Sequence, residues 1–218
     1  MKIIVLNLLR NPEKKQYLEE QFKKLNISDY LFFPAIDAKY ITNNIDVRIS
    51  VGYGFGRQLT KTEIAIIMGH IGILQYANAN NLENVIILED DVILCSDFME
   101  RIEGILKKVP ETWDYIYLSG HSDYEKFPIE SKEKIIKAPK MVGAFSYIVN
   151  KKAYQKIINF CLSFMTTYDD LILQMNILKR LESYTVFPFL TYIRDTYSEN
   201  GKSVTKNHSS KLYFKNYI

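Results

Sequence analysis

The chain has 218 residues, of which 47% are hydrophobic and 24% are charged, a composition typical of one globular domain with a sizeable core. Its two cysteines, Cys95 and Cys161, have no CxxC spacing and are too few for a disulfide scaffold, so we expect reduced and buried side chains. The net charge of +3 suits an anionic small molecule as well as a nucleic acid, and therefore excludes neither.

The apolar stretches of the chain are short. The first stops at Asn7 and Arg10, which leaves it too short for a signal peptide, and none approaches the roughly 20 apolar residues that cross a bilayer. We therefore expect a soluble cytoplasmic protein without a transmembrane segment. A membrane-peripheral protein, a virion-associated protein and a piece of a larger protein are the alternatives.

Short runs typical of β-strands alternate with helical patterns. The predicted elements, in order, are a strand at 2–8, a helix at 12–26, a strand at 32–35, an irregular loop at 39–58, a helix at 60–80, a strand at 85–92, a helix at 96–109, a strand at 113–119, a polar loop at 120–140, a strand at 141–150, helices at 151–164 and 168–181, and a strand at 184–190. We expect the last strand at a sheet edge, because Pro188 has no N–H group to donate. This alternation predicts an α/β protein, a Rossmann-like α/β/α sandwich with a mostly parallel central sheet.

Two segments of the chain carry weaker signals. Gly52, Gly54 and Gly56 alternate with other residues in the loop at 39–58 and favour a flexible loop, with a phosphate-contacting loop as the alternative. From Asp195 onward the chain is polar, and we expect part of it to be disordered.

The clearest helical signal lies at 60–80. Thr60 and Glu63 have the spacing of a capping box, in which each side chain satisfies a free backbone N–H group at the helix start. Glu63 and His70 are seven residues apart and therefore share a face of this helix. A cap and a hydrogen-bonded helix histidine explain the two residues structurally, and both are also candidates for a functional site.

The most informative motif is the run at 85–92, in which branched apolar residues end in Glu89, Asp90 and Asp91. The apolar part suits a strand buried on both faces, and open α/β sheets bind ligands at the carboxyl ends of such strands. Adjacent carboxylates repel one another unless a cation lies between them, and oxygen ligands favour Mg²⁺ or Mn²⁺. The motif therefore indicates a metal site that holds a phosphate-bearing substrate, while a helix cap or a turn is the structural alternative.

Seven separate blocks of the sequence carry a similarity to a known family. The blocks lie at 4–10, 35–37, 59–70, 86–92, 113–118, 143–149 and 168–170. In this order they resemble glycosyltransferase family 25, the group that includes bacterial lipooligosaccharide galactosyltransferases and collagen galactosyltransferases. The Glu-Asp-Asp block is the most specific, followed by the helix that ends at His70, and together the blocks cover most of the chain.

The resemblance implies a GT-A fold, a UDP-sugar donor and a Mn²⁺ (or Mg²⁺) cofactor. The acidic run matches the DxD-type motif of the family by position, so Asp91 is the expected metal ligand. Glu89 is expected to contact the ribose, the nucleotide or the metal ion. Asp90 is expected to assist Glu89 or Asp91 in nucleotide binding. The resemblance implies further candidates for nucleotide-sugar binding, namely Asn7, Arg10 and His70. It also implies that His121 or His208 completes the metal shell.

An inverting transfer, which the family is taken to perform, needs a carboxylate that accepts the proton of the attacking hydroxyl. Asp169 and Asp170 are the candidates because they begin a helix late in the predicted sheet, near the acceptor side by analogy. Charge matching at the helix N-terminus is the structural alternative for both. Glu63 is a second candidate for the base or for a contact with the donor sugar.

The chain departs from the family pattern at three places. Near the N-terminus the family often has further arginines, where this chain has Asn11 and Lys14 or Lys15. The serine that often precedes the helix histidine is Gly69 here, and the proline that often precedes the acidic pair is Tyr168. These differences bear on the identity of the donor sugar, for which galactose and glucose are expected, and on the acceptor. A glycan, a glycolipid and a collagen-like protein are the expected acceptor classes.

Two other interpretations stay open. Clustered carboxylates at a strand end also suit metal-dependent phosphoryl transfer or phosphodiester cleavage, and the missing arginines are compatible with a non-catalytic nucleotide-binding relative. A basic track for a polyanion is not evident, so a nucleic acid is not an expected partner. We expect a single domain, with its nucleotide-sugar half at 1–119 and its acceptor half at 120–218.

Overall fold

The computed structural model describes residues 1–42, 58–121, 133–138 and 140–194. The glycines at 52–56, the polar segment from 195 onward and His208 lie outside the described residues. The strands are β1 (Lys2–Asn7), β2 (Tyr30–Pro34), β3 (Asn84–Glu89), β4 (Val92–Leu94), β5 (Tyr115–Tyr117), β6 (Lys134–Lys137), β7 (Ser146–Asn150), β8 (Ser183–Phe187) and β9 (Thr191–Ile193). The helices are α1 (Pro12–Lys24), α2 (Lys61–Ala79), α3 (Phe98–Lys108), α4 (Lys151–Cys161) and α5 (Tyr168–Ile177), and a 3₁₀ turn lies at Ala38–Tyr40.

The central sheet has seven strands in the order β2-β1-β3-β7-β5-β8-β6. Strand β1 is parallel to β2 and β3, β8 is parallel to β5, and β7 runs antiparallel between β3 and β5. Five strands (β2, β1, β3, β5 and β8) therefore point the same way, while β7 and the outer strand β6 oppose them. The predicted mostly parallel sheet is confirmed.

Helices cover both faces of this sheet because successive strand residues point to opposite sides. On one face, Ile4 and Ile87 belong to a buried cluster with residues of α2, α4 and α5. On the other face, Ile3 and Ile86 belong to a cluster with residues of α1 and α3. Each fully buried isoleucine contributes roughly 1.5–3 kcal/mol of hydrophobic stabilisation. The two clusters make the molecule the α/β/α sandwich that the alternation of elements predicts.

The helix α2 begins as the sequence predicts. The Thr60 hydroxyl accepts a hydrogen bond from the backbone N–H of Glu63 (3.2 Å), and the Glu63 carboxylate accepts one from the backbone N–H of Thr60 (2.8 Å). The capping box is therefore confirmed. Such a cap contributes about 1 kcal/mol to helix stability.

Three short strands depart from the predicted pattern. Strand β6 forms within the segment predicted as a polar loop, and β4 pairs with β9 in a separate two-stranded sheet. The expectation that the late strand lies at an edge is wrong, because β8 pairs with β5 on one side and β6 on the other. Pro188 follows the last paired residue, Phe187, so its missing N–H group interrupts no ladder.

The topology brings the ends of β1 and β3 together. The two strands are parallel neighbours in which Leu6 lies opposite Glu89, so Asn7 and the three acids meet at one edge of the sheet. The following helix α1 starts close to this edge, with Lys14 in its first turn. In the described part of the chain, no helix combines the length and the apolar content that a membrane crossing needs.

Candidate functional site

A cleft opens where β1 and β3 end. The space between its walls, including the open mouth, is about 770 Å³. The basic residues Arg10 and Lys14 line it together with the three acids at the end of β3, and apolar side chains such as Ile36 and Ile66 complete the walls. The cleft therefore combines positive and negative groups beside an apolar surface.

Asp90 is the best-connected of the three acids. Its Oδ2 accepts a hydrogen bond from the side-chain amide of Asn7 (2.9 Å), and its Oδ1 accepts one from the ammonium of Lys14 (3.0 Å). The same ammonium lies 3.6 Å from Oδ2 of Asp91. Lys14 thus lies between two adjacent carboxylates, at the place where the sequence predicts a metal ion.

One carboxylate oxygen of Asp91 has no hydrogen-bond partner among the described residues. This atom, Oδ1, is buried, and such a buried acceptor is costly unless a ligand or cation satisfies it. The backbone of Asp91 is held in place, because its carbonyl accepts a hydrogen bond from the N–H of Arg194 just after β9 (2.7 Å). The backbone position of Asp91 is therefore fixed, and one of its side-chain oxygens is available to a ligand.

The acids that flank Asp90 share an unfavourable electrostatic environment. Loss of hydration is the largest effect on the pKa of Glu89 and Asp91, and repulsion by neighbouring carboxylates adds to it. Both effects raise the two pKa values above their usual range, although Lys14 partly opposes them. One lysine therefore leaves negative charge at this strand end that a further cation would stabilise.

His70 lies behind Glu89 and is fully buried. Its Nε2 is 3.6 Å from Oε1 of Glu89, and a 2.7 Å hydrogen bond joins its Nδ1 to the hydroxyl of Tyr147. That hydroxyl is 3.1 Å from the hydroxyl of Tyr168, whose ring stacks on His70 at 4.1 Å. Burial lowers the pKa of His70 to about 4, so the ring is neutral near pH 7. The structure thus places His70 against the back of Glu89, without exposure to the cleft.

The three candidate bases occupy different surroundings. Asp170 accepts hydrogen bonds from the hydroxyls of Thr166 (3.0 Å) and Thr167 (2.9 Å) at the start of α5. The pKa of Asp169 is raised to about 7, first by burial and then by the charge of Glu89. The carboxylate of Glu63 is engaged in the capping box of α2. The charge of Glu89 at the acidic strand end acts on Asp169.

Arg10 and Asp37 form an ion pair beside the cleft. The Arg10 Nε lies 3.1 Å from Oδ2 of Asp37, and Asp37 also accepts a hydrogen bond from the backbone N–H of Lys39 at the start of the 3₁₀ turn. The pair joins the first two of the seven blocks that resemble the family, at 4–10 and 35–37. It holds the Arg10 side chain at the mouth of the cleft.

The donor groups fit a metal ion that is completed by its substrate. Among the described residues, no three His, Cys, Asp or Glu side chains are grouped closely enough to enclose a metal ion. Mg²⁺ and similar cations are commonly bound by one or two carboxylates plus substrate phosphates, so such an enclosure is not required. The partnerless oxygen of Asp91 supplies one suitable ligand. His121 lies at the margin of the described residues, where its backbone pairs with Val142.

Sequence reasoning missed three residues of this site. Lys14 entered only as a departure from the family pattern, and the contacts of Tyr147 and Tyr168 with His70 were not predicted. A signal for Lys14 existed, because a helix that starts directly after a ligand-binding strand brings its first turn close to the site. The two tyrosines gave no such signal, since their meeting depends on how α5 packs on the sheet.

Comparisons with known proteins identify the family of the chain. The sequence profile of glycosyltransferase family 25, described as an LPS biosynthesis protein family, matches residues 1–172. A glycosyltransferase 25 family member of Aedes aegypti is 28% identical over 168 residues, 72% of this chain and 27% of that protein. Procollagen galactosyltransferase 1 of Danio rerio is 21% identical over 169 residues, 72% of this chain and 28% of that protein.

Some relatives are named as inactive members of the family. The inactive glycosyltransferase 25 family member 3 of Homo sapiens is 29% identical over 126 residues, 53% of this chain and 21% of that protein. This chain spans less than a third of the length of the curated relatives described here.

A solved structure with the same fold is a glycosyltransferase involved in the glycosylation of the major capsid of PBCV-1. The TM-score is 0.50 at 10% sequence identity, and the match covers 92% of this chain and 84% of that one. The expected GT-A-type fold is confirmed. Because the family profile matches most of its length, the chain belongs to glycosyltransferase family 25.

Proposed function

We propose that this chain transfers a hexose, galactose or glucose, from a UDP-sugar to a hydroxyl group of a glycan, a glycolipid or a collagen-like protein, with inversion at the sugar carbon and with Mn²⁺ or Mg²⁺ as cofactor. One observation supports the proposal most directly. The acids at the end of β3 line a cleft, and one of them, Asp91, has a buried oxygen without a hydrogen-bond partner among the described residues.

In this proposal the cleft binds the nucleotide end of the donor. Asp91 holds the cation, Glu89 reaches the ribose or joins the metal shell, and Asp90 with Asn7 fixes the strand end. Arg10 lies at the mouth of the same cleft and offers a positive charge to the diphosphate. When bound, the cation supplies Lewis-acid stabilisation of the charge that develops on the departing diphosphate.

Asp169 is the proposed general base. A pKa of about 7 allows a carboxylate to accept a proton from the acceptor hydroxyl near neutral pH. Asp170 is a less suitable base because two threonine hydroxyls donate hydrogen bonds to its Oδ2 and hold the carboxylate at the start of α5. Neutral His70 contacts the back of Glu89 and would orient that side chain toward the donor.

The proposal is tested by calorimetry of UDP-galactose and UDP-glucose binding, with and without Mn²⁺. We expect metal-dependent binding to the wild-type protein and its loss in Asp91→Asn, which keeps the shape of the side chain but removes its charge. Asp97→Asn is the matched control, since Asp97 is exposed and makes no capping hydrogen bond at the start of α3. Absence of metal-dependent binding for every UDP-sugar tested would refute the proposal.

A second candidate function is nucleotide-sugar binding without transfer. The observation that favours it is the similarity to relatives named as inactive, one of them 29% identical to this chain. Under this alternative the calorimetric result would be unchanged. Neither transfer to acceptors nor release of UDP by hydrolysis would then be measurable in a radiolabelled-sugar assay.

A further inference from the structure

Lys14 is an enclosed cation between the carboxylates of Asp90 and Asp91. Its ammonium lies 3.0 Å from Asp90 and 3.6 Å from Asp91, and only 12% of its side chain is exposed. The neighbouring Lys15 contrasts with it, because its ammonium lies 3.8 Å from Glu19 at the surface and its side chain is 46% exposed. Lys14 therefore has a specific place in the site, whereas Lys15 belongs to the solvated face of α1.

The two carboxylates depend on Lys14 to different degrees. Asp90 has a second partner in the amide of Asn7, so it stays hydrogen-bonded if the ammonium leaves. Asp91 is the more distant of the two, and its other oxygen has no partner among the described residues. A cation that binds Asp91 must approach the ammonium closely, and two positive charges so near to each other repel strongly in an enclosed site.

Lys14 can also reach other parts of the cleft. It lines the cleft together with Arg10, and its backbone lies in the first turn of α1. The lysine side chain is a point charge on a flexible stem of four carbons, so the ammonium can move by several ångströms while the helix stays in place. A diphosphate that enters this cleft offers the ammonium a new anionic partner.

We infer that Lys14 is a diphosphate-binding residue that acts as an internal cation while the donor is absent. In the donor-free protein its ammonium neutralises Asp90 and Asp91 and weakens the binding of a divalent cation to Asp91. When the nucleotide arrives, the ammonium passes to the diphosphate and leaves Asp91 to the metal ion. This inference rests on the proposed function for the identity of its ligand, and adds that metal ion and nucleotide bind cooperatively because of Lys14.

Calorimetry with Mn²⁺ alone, followed by UDP at saturating Mn²⁺, tests the inference in wild type, Lys14→Met and Lys15→Met. We expect Lys14→Met to bind Mn²⁺ about tenfold more tightly than wild type and Mn²⁺-UDP about tenfold more weakly, a typical size for coupling between two ligands. Lys15→Met removes the same charge from the same helix and should match wild type in both titrations. If Lys14→Met binds Mn²⁺ no more tightly than wild type, or if neither protein binds it, the inference is wrong.

A second measurement needs no variant and so does not depend on how Lys14→Met folds. Wild-type protein is treated with a lysine-acetylating reagent, and the acetylation of Lys14 and Lys15 is followed by mass spectrometry. Mn²⁺ alone should increase the acetylation of Lys14, UDP with Mn²⁺ should suppress it, and Lys15 should respond to neither. Unchanged acetylation of Lys14 at Mn²⁺ concentrations that bind the protein would overturn the inference.

The same experiments separate this inference from the proposed function. If Lys14 responds to Mn²⁺ and UDP as expected while no UDP-sugar is transferred or hydrolysed, the proposed catalytic function fails and the role of Lys14 stands. If UDP-sugars are transferred while Lys14→Met has the Mn²⁺ affinity of wild type, the proposed function stands and the role of Lys14 fails.

Discussion

The hydrogen bonds of Tyr147 give the sharpest test of the buried network behind Glu89. Replacement of Tyr147 by phenylalanine keeps the ring and removes a hydroxyl that is bonded to His70 (2.7 Å) and to Tyr168 (3.1 Å). All three side chains are almost completely buried, so water cannot replace the lost partner. We therefore expect Tyr147→Phe to destabilise the fold through two buried polar groups that lose a hydrogen bond.

The expected loss follows from the number of groups left without a partner. A buried donor or acceptor without a hydrogen bond costs about 1–3 kcal/mol, and two such groups cost roughly 2–4 kcal/mol if one of them finds a weak substitute. Urea unfolding followed by circular dichroism measures this loss. With a urea m-value of roughly 2–3 kcal/mol/M, the midpoint should fall by about 1 M.

Tyr115→Phe is the matched control for this experiment. Its ring stacks on that of Tyr147 at 4.6 Å, and it is equally buried, but its hydroxyl has no hydrogen-bond partner among the described residues. Removal of a buried hydroxyl without a partner should leave the stability unchanged or raise it. If both variants lose the same stability, the hydrogen bonds of Tyr147 do not explain the effect and the reasoning is wrong.

Two further predictions concern Asp169 and Gln21. Burial and the charge of Glu89 raise the pKa of Asp169 from 3.8 to about 7, so between about pH 4 and pH 7 the folded chain holds a proton that the unfolded chain has released. The contribution of this group to stability therefore falls as the pH rises through that window. In thermal melts, Asp169→Asn should gain stability relative to wild type from pH 5 to pH 8. If the difference in melting temperature between the two proteins is the same at both pH values, the pKa shift is contradicted. The buried amide of Gln21 donates a hydrogen bond to the carbonyl of Val92 (3.1 Å) and accepts one from the N–H of Leu94 (2.8 Å). Gln21→Met should therefore lower the free energy of unfolding by about 2 kcal/mol in the same melts. The control, Gln16→Met on the exposed face of α1, should change it little.

The sequence predicts the parts of the fold that rest on local physics. The capping box of Thr60 and Glu63 and the apolar run of β3 need only neighbours along the chain, and both are found close to the predicted positions. The strands β4 and β6 have three and four residues, too few for a period of two to be recognised. Pro188 led to a wrong edge assignment because the sequence does not show that β8 ends one residue before it.

The same distinction applies to the candidate site. The acidic run marks the strand end by itself, because three adjacent carboxylates after an apolar strand are an unusual local pattern. The contacts of Asp90 with Asn7 and Lys14 join residues that are 83 and 76 positions apart, and no local pattern reports such pairs. For the same reason the sequence left Asp169 and Asp170 equivalent, whereas the structure gives Asp170 threonine partners, and burial together with the charge of Glu89 raises the pKa of Asp169.

Three adjacent acids thus have three different surroundings, and this difference matters more for function than their number. Glu89 lies against neutral His70, Asp90 is hydrogen-bonded to Asn7 and Lys14, and Asp91 has one buried oxygen without a partner in the described part of the chain. An acidic cluster that served only as a helix cap would direct its carboxylates at backbone N–H groups. Here the partners of Asp90 are side chains from separate elements, and Asp91, whose buried oxygen has no partner among the described residues, lines the cleft. A cation and an anionic ligand that enter the cleft together would satisfy that oxygen and give Lys14 a new partner.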